Sequence, residues 1–193
     1  RLEPEIYNFR SLAFFSKAVE RVGEESYPIH IKLDTGMHRL GFMEGELDML
    51  TETLGETPSV KVATIFSHLN CSDMPQEDRY TREQIARFDR MSGRLAAALP
   101  YPVLRHTANS AAIERFPEAQ FDMCRLGLGL YGFGFEHNDE LKPVSTLKSR
   151  IVQLKHLSAG EAVGYGRAGK LTRDSVTATV PMGYADGLDR HLG

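Results

Sequence analysis

The residues of this 193-residue chain that could do chemistry fall in a few short stretches. In HIKLDTGMHRLGF, His30 to Phe42, Lys32 and Asp34 alternate with apolar residues, and Arg39 follows a Thr-Gly turn. An unpaired ammonium is costly to bury, so Lys32 must face water or find a partner. Alternation alone favours the plainer account, in which Lys32 and Asp34 lie on a solvated strand face. Arg39 has the fork geometry to clamp a phenolate, a phosphate or a carboxylate. His68 closes an apolar run and could act as a general acid/base or a hydrogen-bonding relay; a satisfied core histidine accounts for it equally well. Asn109 and Ser110 stand where a helix starts just after a strand, which suits a phosphate and equally an ordinary N-cap. Arg125 follows an apolar stretch and precedes GLGLYGFGF. Its permanent charge needs an acceptor, which favours a functional role. Tyr165 sits between two glycines in VGYGR, where an ordinary turn tyrosine is the default, and GYADGLDR, with Tyr184 and Arg190, reads as a polar turn. His68, Cys71 and Asp73 have no second cluster at ligand spacing, so no metal centre is expected. Nothing in sequence orients His68 against Cys71 as a nucleophile.

The elements that must position these residues alternate. Helical spacing is predicted over Pro4 to Val22, a strand over Ile29 to Asp34, a helix over Glu44 to Leu54 and a strand over Val60 to Phe66. A long helix follows over Gln76 to Leu99, then a strand over Val103 to His106, a helix over Asn109 to Phe116 and a strand over Phe121 to Arg125. Such alternation implies βα units and a parallel sheet. The strands end in Lys32 and Asp34, His68, His106 and Arg125, and in a (β/α)8 barrel the site lies at the C-terminal strand ends. Four or five strands make half a barrel; the doubly wound alternative lacks a GxGxxG turn. From about Leu141 the pattern becomes β-branched and polar with glycine turns, and SVTATV is a clean strand. The expected fold is therefore α/β, a partial (β/α)8 TIM-type barrel over residues 1–140 followed by the start of an all-β C-terminal domain over 141–193.

Composition bounds the function. Lysine and arginine total 23 against 26 acidic residues, a net charge of −3, with 41% hydrophobic and 25% charged residues. That is a globular balance without the basic stripe of a nucleic-acid binder. No apolar run reaches the roughly 20 residues that span a bilayer, and RLEPEIYNFR is no signal peptide. Two cysteines outside any CxxC pair suit a reducing, cytoplasmic setting. The first residue is Arg, and the last residues follow a strand without a helix stop, so a piece of a longer polypeptide is expected.

Taken together, HIKLDTGMHRLGF, SHLNCSD, HTANSAAIERFP, DMCRLGLGLYG, VGYGR and PMGYADGLDR resemble the alanine racemase family of type III pyridoxal-phosphate enzymes, in family order from about residue 28 to 190. The resemblance implies an isomerase that makes D-alanine for peptidoglycan, a pyridoxal 5'-phosphate cofactor, alanine as substrate and a homodimer. It implies that Tyr165 is the catalytic tyrosine that moves the α-proton in the site of the opposite subunit. His68 matches the histidine that hydrogen-bonds this tyrosine, and Arg125 the arginine that donates to the pyridine nitrogen. Arg39 matches the arginine at the phenolic oxygen. Lys32 matches a lysine, often carbamylated in the family, that orients it. Ser110 with the backbone at Gly127 and Leu128 resembles the phosphate site, with Asn109 beside it. Tyr184 and Arg190 match second-domain residues near the substrate's access route.

The chain departs from the family in one respect. The cofactor-carrying lysine, also the second base, lies in a motif like VVKAxAYGHG, and no such string is present. The segment with a substrate-binding methionine–aspartate pair and a second tyrosine is also missing. This chain alone is expected neither to hold the cofactor covalently nor to racemise alanine. Another type III enzyme (a serine racemase or an amino-acid decarboxylase) is the alternative, as is a non-catalytic pyridoxal-phosphate-binding module, or an interaction module fused to a ligase.

Overall fold

The computed structural model describes residues 2–192, which divide after Val144 into two compact units. In the first, four parallel strands lie in the order β1 (Glu5–Ile6), β2 (Tyr27–Lys32), β3 (Val60–Phe66) and β4 (Leu104–His106). Between them run α1 (Phe9–Arg21), α2 (Leu47–Gly55) and α3 (Asp78–Ala98), and α4 (Ser110–Arg115) follows β4. Four βα units in sequential order are the architecture expected of part of a barrel.

The helix predicted from Pro4 starts later. Asn8 is its N-cap: the Asn8 side chain accepts from the Ser11 N–H at 2.7 Å, and Ser11 Oγ accepts from the Asn8 N–H at 3.2 Å. This reciprocal pair satisfies two otherwise orphan donors, and frees Glu5 and Ile6 to pair with β2.

The run VKVATIF does not alternate cleanly, and the register explains it. Ile29 pairs with Val62, but the next residue, His30, pairs with Thr64, so Ala63 is the extra residue of a bulge. Val60, Val62 and Ile65 thereby share a face with Ile29 and Ile31 in one buried cluster with Leu12 of α1, Leu50 of α2 and Phe88, Met91 and Leu95 of α3. Truncating a fully buried ring such as Phe88 typically costs about 3–5 kcal/mol. The opposite face carries His30, Lys32, Thr64, Phe66 and His106, which is the polar interior that positions the site.

Two local expectations are corrected. Lys32 and Asp34 are not on a solvated face: each is only 8% exposed, Lys32 held between Glu5 and the Phe66 ring and Asp34 inside the turn that follows β2. Asp34 accepts the N–H groups of Gly36 and His38, each at 3.0 Å. Burial pushes its carboxyl up, but these bonds and the neighbouring His38 outweigh burial and hold it below the usual value. The segment returns over Gly41, whose φ of 129° brings its α-carbon close to the Asp34 amide; Phe42 N–H then donates to Lys32 O and Asp34 N–H to Phe42 O, both at 2.9 Å. Residues 121–125 form no strand. Phe121 has a φ of 46°, which breaks extension. Its ring is fixed edge-on against Phe88 at 5.0 Å.

The second unit holds two antiparallel pairs. β5 (Gln153–Leu157) pairs with β8 (Ser175–Thr179), and β6 (Ala162–Val163) with β7 (Gly169–Lys170). Among the described residues no helix is long and apolar enough to cross a membrane, and no group of His, Cys, Asp or Glu is placed to hold a metal ion.

Candidate active site

The site is built on the C-terminal ends of β2, β3 and β4. After the Phe121 turn the chain comes back across these ends, tied by Asp122 N–H to Arg105 O and Arg125 N–H to Ala108 O, both at 3.0 Å. This carries Arg125 over the sheet. Its guanidinium donates from Nη2 to Ser67 O at 2.6 Å and to His68 Nδ1 at 3.1 Å, and from Nη1 to His106 Nδ1 at 2.7 Å. The cation also lies 5.3 Å from the centre of the Phe66 ring, and Phe66 stacks on His106 at 5.1 Å with 3° between planes. Burial lowers the Arg125 pKa, yet a guanidinium stays charged in proteins and has no acceptor. Both histidines must therefore present an unprotonated Nδ1.

That requirement agrees with their electrostatics. Burial first, then the charges of Arg125, Lys32 and Arg39, lower the His68 pKa. Burial, then Arg125 and His30, push His106 down to about 4. At neutral pH each ring is uncharged with its proton on Nε2. His68 can then donate from Nε2, and the positive charge stays on Arg125.

A cavity of about 440 Å³ opens beside this cluster, lined among others by His68, Asn109, Ser110, Arg125, Gly127 and Leu128. Its size suits a small cofactor. Ser110 Oγ accepts the N–H groups of Gly127 at 2.8 Å and Gly129 at 3.1 Å, which leaves the hydroxyl proton to donate. Asn109 is the N-cap of α4: its Oδ1 accepts from Ala112 N–H at 3.0 Å and from Ser72 Oγ at 2.8 Å, and its Nδ2 donates to Leu69 O at 3.3 Å. Its side chain positions Ser110 and is itself fully engaged. Helix α4 has six residues, so the hydroxyl and loop amides count for more than a helix dipole.

A second hollow of about 400 Å³ shares His68 and Arg125 as its wall and is lined also by Glu5, Lys32, Arg39 and His106. Lys32 Nζ donates to Glu5 Oε1 at 2.9 Å, so the partner its burial requires is on β1. Arg39 is exposed. The first unit thus brings together His68, Asn109, Ser110, Arg125, Gly127 and Leu128 around one cavity, with Lys32 and Arg39 in the adjoining hollow. A fixed cation, a serine hydroxyl among backbone amides and flat ring walls fit the anionic, aromatic pyridoxal phosphate that the resemblance implies. His106, which the sequence marks only as a strand end, gains its place in the site from its bond to Arg125.

Tyr165, Tyr184 and Arg190 belong to the second unit. Tyr165 is 98% exposed at the turn joining β6 to β7, between Gly164 (φ 82°) and Gly166 (φ 63°). The Arg190 guanidinium lies over the Tyr184 ring at 4.1 Å.

Comparison with known proteins supplies the family. Residues 1–134 match the family model for the alanine racemase N-terminal domain, and residues 144–193 that for the C-terminal domain. An alanine racemase of Sorangium cellulosum is 37% identical over 193 residues, covering 99% of this chain and 51% of that protein. One from Symbiobacterium thermophilum is 39% identical over 168 residues, 85% of this chain and 44% of that protein. The solved alanine racemase of Streptomyces coelicolor superposes with a TM-score of 0.88 at 29% identity, over 99% of this chain and 52% of that one. That of Bartonella henselae, solved with covalently bound pyridoxal phosphate, gives 0.77 at 27% identity, over 99% and 52%. The chain spans about half the length of the curated relatives it matches. The first unit is accordingly part of a barrel domain, and the second unit contains strands of the C-terminal domain.

Proposed function

The chain belongs to the alanine racemase family, and from that premise we propose that the polypeptide it is part of interconverts L- and D-alanine with pyridoxal 5'-phosphate in the cytoplasm, supplying D-alanine for peptidoglycan. In this reading residues 1–140 are the second half of the cofactor-binding barrel, and residues 141–193 begin the β-rich domain. The observation that carries it is Arg125, which joins His68 to His106 in the wall of a cavity that Ser110 also lines.

When bound, the cofactor supplies an electron sink that makes the substrate Cα–H bond labile. Arg125, permanently charged and without an acceptor, would donate to its ring nitrogen and leave that nitrogen unprotonated, which would limit the sink and favour return of the proton to Cα. The Ser110 hydroxyl, with the backbone at Gly127 and Leu128, would hold the phosphate. Arg39 would hold the phenolic oxygen, and Lys32, itself buried and paired with the exposed Glu5, would orient it. Tyr165 takes or returns the Cα proton on one face. The Nε2–H of His68, with the charge of Arg125 behind it, would donate to the Tyr165 oxygen and orient it for that transfer. The full exposure of Tyr165 suits a side chain that works in the site of a second subunit, with Tyr184 and Arg190 near the substrate's path.

The test is chiral conversion. The parent polypeptide, extended to its natural ends, should turn L-alanine into D-alanine only when loaded with pyridoxal phosphate. A folded, cofactor-loaded protein that forms no D-alanine would reject the reading. This chain by itself, reduced with borohydride in the presence of pyridoxal phosphate, should show no stoichiometric lysine label by intact mass, and a full label on one lysine would contradict that expectation.

A further inference from the structure

We propose that Thr64, backed by His30 and Glu3, is a positioning residue that aims Arg125 through His106. This rests on the reading of Arg125 as the group that faces the cofactor. The geometry is a continuous chain through the polar face of the sheet. Arg125 Nη1 lies 2.7 Å from His106 Nδ1; His106 Nε2 lies 3.1 Å from Thr64 Oγ1; Thr64 Oγ1 lies 2.8 Å from His30 Nδ1; and His30 Nε2 lies 3.0 Å from Glu3 Oε2. Three strands take part, since His30 and Thr64 are cross-strand partners on β2 and β3 and His106 is on β4. The bulge at Ala63 is what puts Thr64 on this face; without it Thr64 would point at the helices.

The chain can be polarised in one direction. Arg125 only donates, so His106 accepts at Nδ1 and must donate from Nε2 to Thr64 Oγ1. Thr64 has one hydroxyl proton, which goes to His30 Nδ1, and His30 then donates from Nε2 to the Glu3 carboxylate. A proton on His30 Nδ1 would make both rings donate to Thr64 and leave the hydroxyl proton without an acceptor among the described residues. Thr64 and His106 are each 5% exposed, so water cannot readily replace a lost partner. The His106 ring is pinned at both nitrogens and stacked on Phe66, and the Nη1 edge of Arg125 is pinned with it. Thr64 touches none of the reacting atoms. Its effect passes through His106.

The test compares Thr64→Val, which keeps the β-branched shape and removes the hydroxyl, with Thr64→Ser, which keeps the hydroxyl. Both would be made in the parent polypeptide extended to its natural ends and loaded with pyridoxal phosphate. Nitrogen NMR of labelled histidines should find Nδ1 unprotonated on both His106 and His30 in the wild type at neutral pH, and the His30 Nδ1 resonance should move in Thr64→Val but not in Thr64→Ser. The kcat should fall about ten-fold in Thr64→Val, the cost of orphaning one buried donor, with the KM for alanine nearly unchanged, and Thr64→Ser should restore it. A proton on His106 Nδ1 in the wild type, a Thr64→Val variant as active as wild type, or a Thr64→Ser variant as poor as Thr64→Val would each overturn the proposal. If the protein retains no pyridoxal phosphate, the functional reading fails separately, and the histidine resonances still decide whether the relay exists.

Discussion

In the first unit Arg125 donates to three neutral acceptors within 3.1 Å, the Ser67 carbonyl and the Nδ1 atoms of His68 and His106. In the second unit Tyr165 stands at a turn with 98% of its surface exposed and a positive-φ glycine on either side. Arg125 has its position and its neighbours' tautomers set by folding of its own unit. Tyr165 has its backbone set by Gly164 and Gly166 and, among the described residues, its ring set by nothing around it. Stability and activity should therefore be coupled at Arg125 and separate at Tyr165.

Tyr165→Phe is the sharpest way to break that contrast. In the extended protein, racemisation should fall by about 10²–10⁴-fold, the usual worth of a positioned general base, while the urea midpoint stays where it was. A Tyr165→Phe protein that unfolds earlier would show that the ring is held by packing after all. Arg125→Met should lose both properties: removing the donor orphans two histidines and a carbonyl, costing on the order of 2–4 kcal/mol of stability, and cofactor retention should fall with it. Chemical denaturation and absorbance of the bound cofactor check the two arms.

The pH response separates the units next. His106 titrates near 6.5 when unfolded and at about 4 when folded, so between these values the unfolded chain binds the extra proton and stability rises with pH. The stabilising effect is complete above about 6.5 and lost as pH falls toward 4, and His68 shifts in the same direction. Denaturation midpoints for the first unit should drop between pH 7 and pH 5, and His106→Asn should flatten that slope. Gly41→Ala should cost about 2 kcal/mol: at φ 129° a Cβ meets the Asp34 amide at 2.6 Å. Asn109→Ala should cost about 1 kcal/mol as a lost N-cap, with a larger relative loss of cofactor affinity because Ser110 is no longer fixed.

Much of this frame is legible in the residues alone. Val60–Phe66 is a strand over the expected span, and the strand ends at Lys32, His68 and His106 point to the barrel mouth because apolar runs stop there. Other features are silent for physical reasons. A bulge leaves no mark in VKVATIF except broken alternation, so Thr64 reads as one more strand residue although the register turns it inward. Lys32 reads as solvated because its partner, Glu5, lies 27 residues away on a two-residue strand just ahead of the α1 cap. Phe121 gives no sign of a positive φ, since its conformation is imposed by the Phe88 contact. Tyr165 is the reverse case: its flanking glycines announce an exposed turn, but its chemistry enters only through family resemblance.

The most direct measurement is hydrogen exchange at Cα. The extended, pyridoxal-phosphate-loaded protein would be given L-alanine in D₂O, and loss of the Cα proton followed by NMR in the wild type and in Tyr165→Phe. The account predicts exchange accompanied by D-alanine in the wild type and both at least about a hundred-fold slower in the folded variant. Exchange that persists undiminished in Tyr165→Phe would contradict it, because the proton would then be moved by another group.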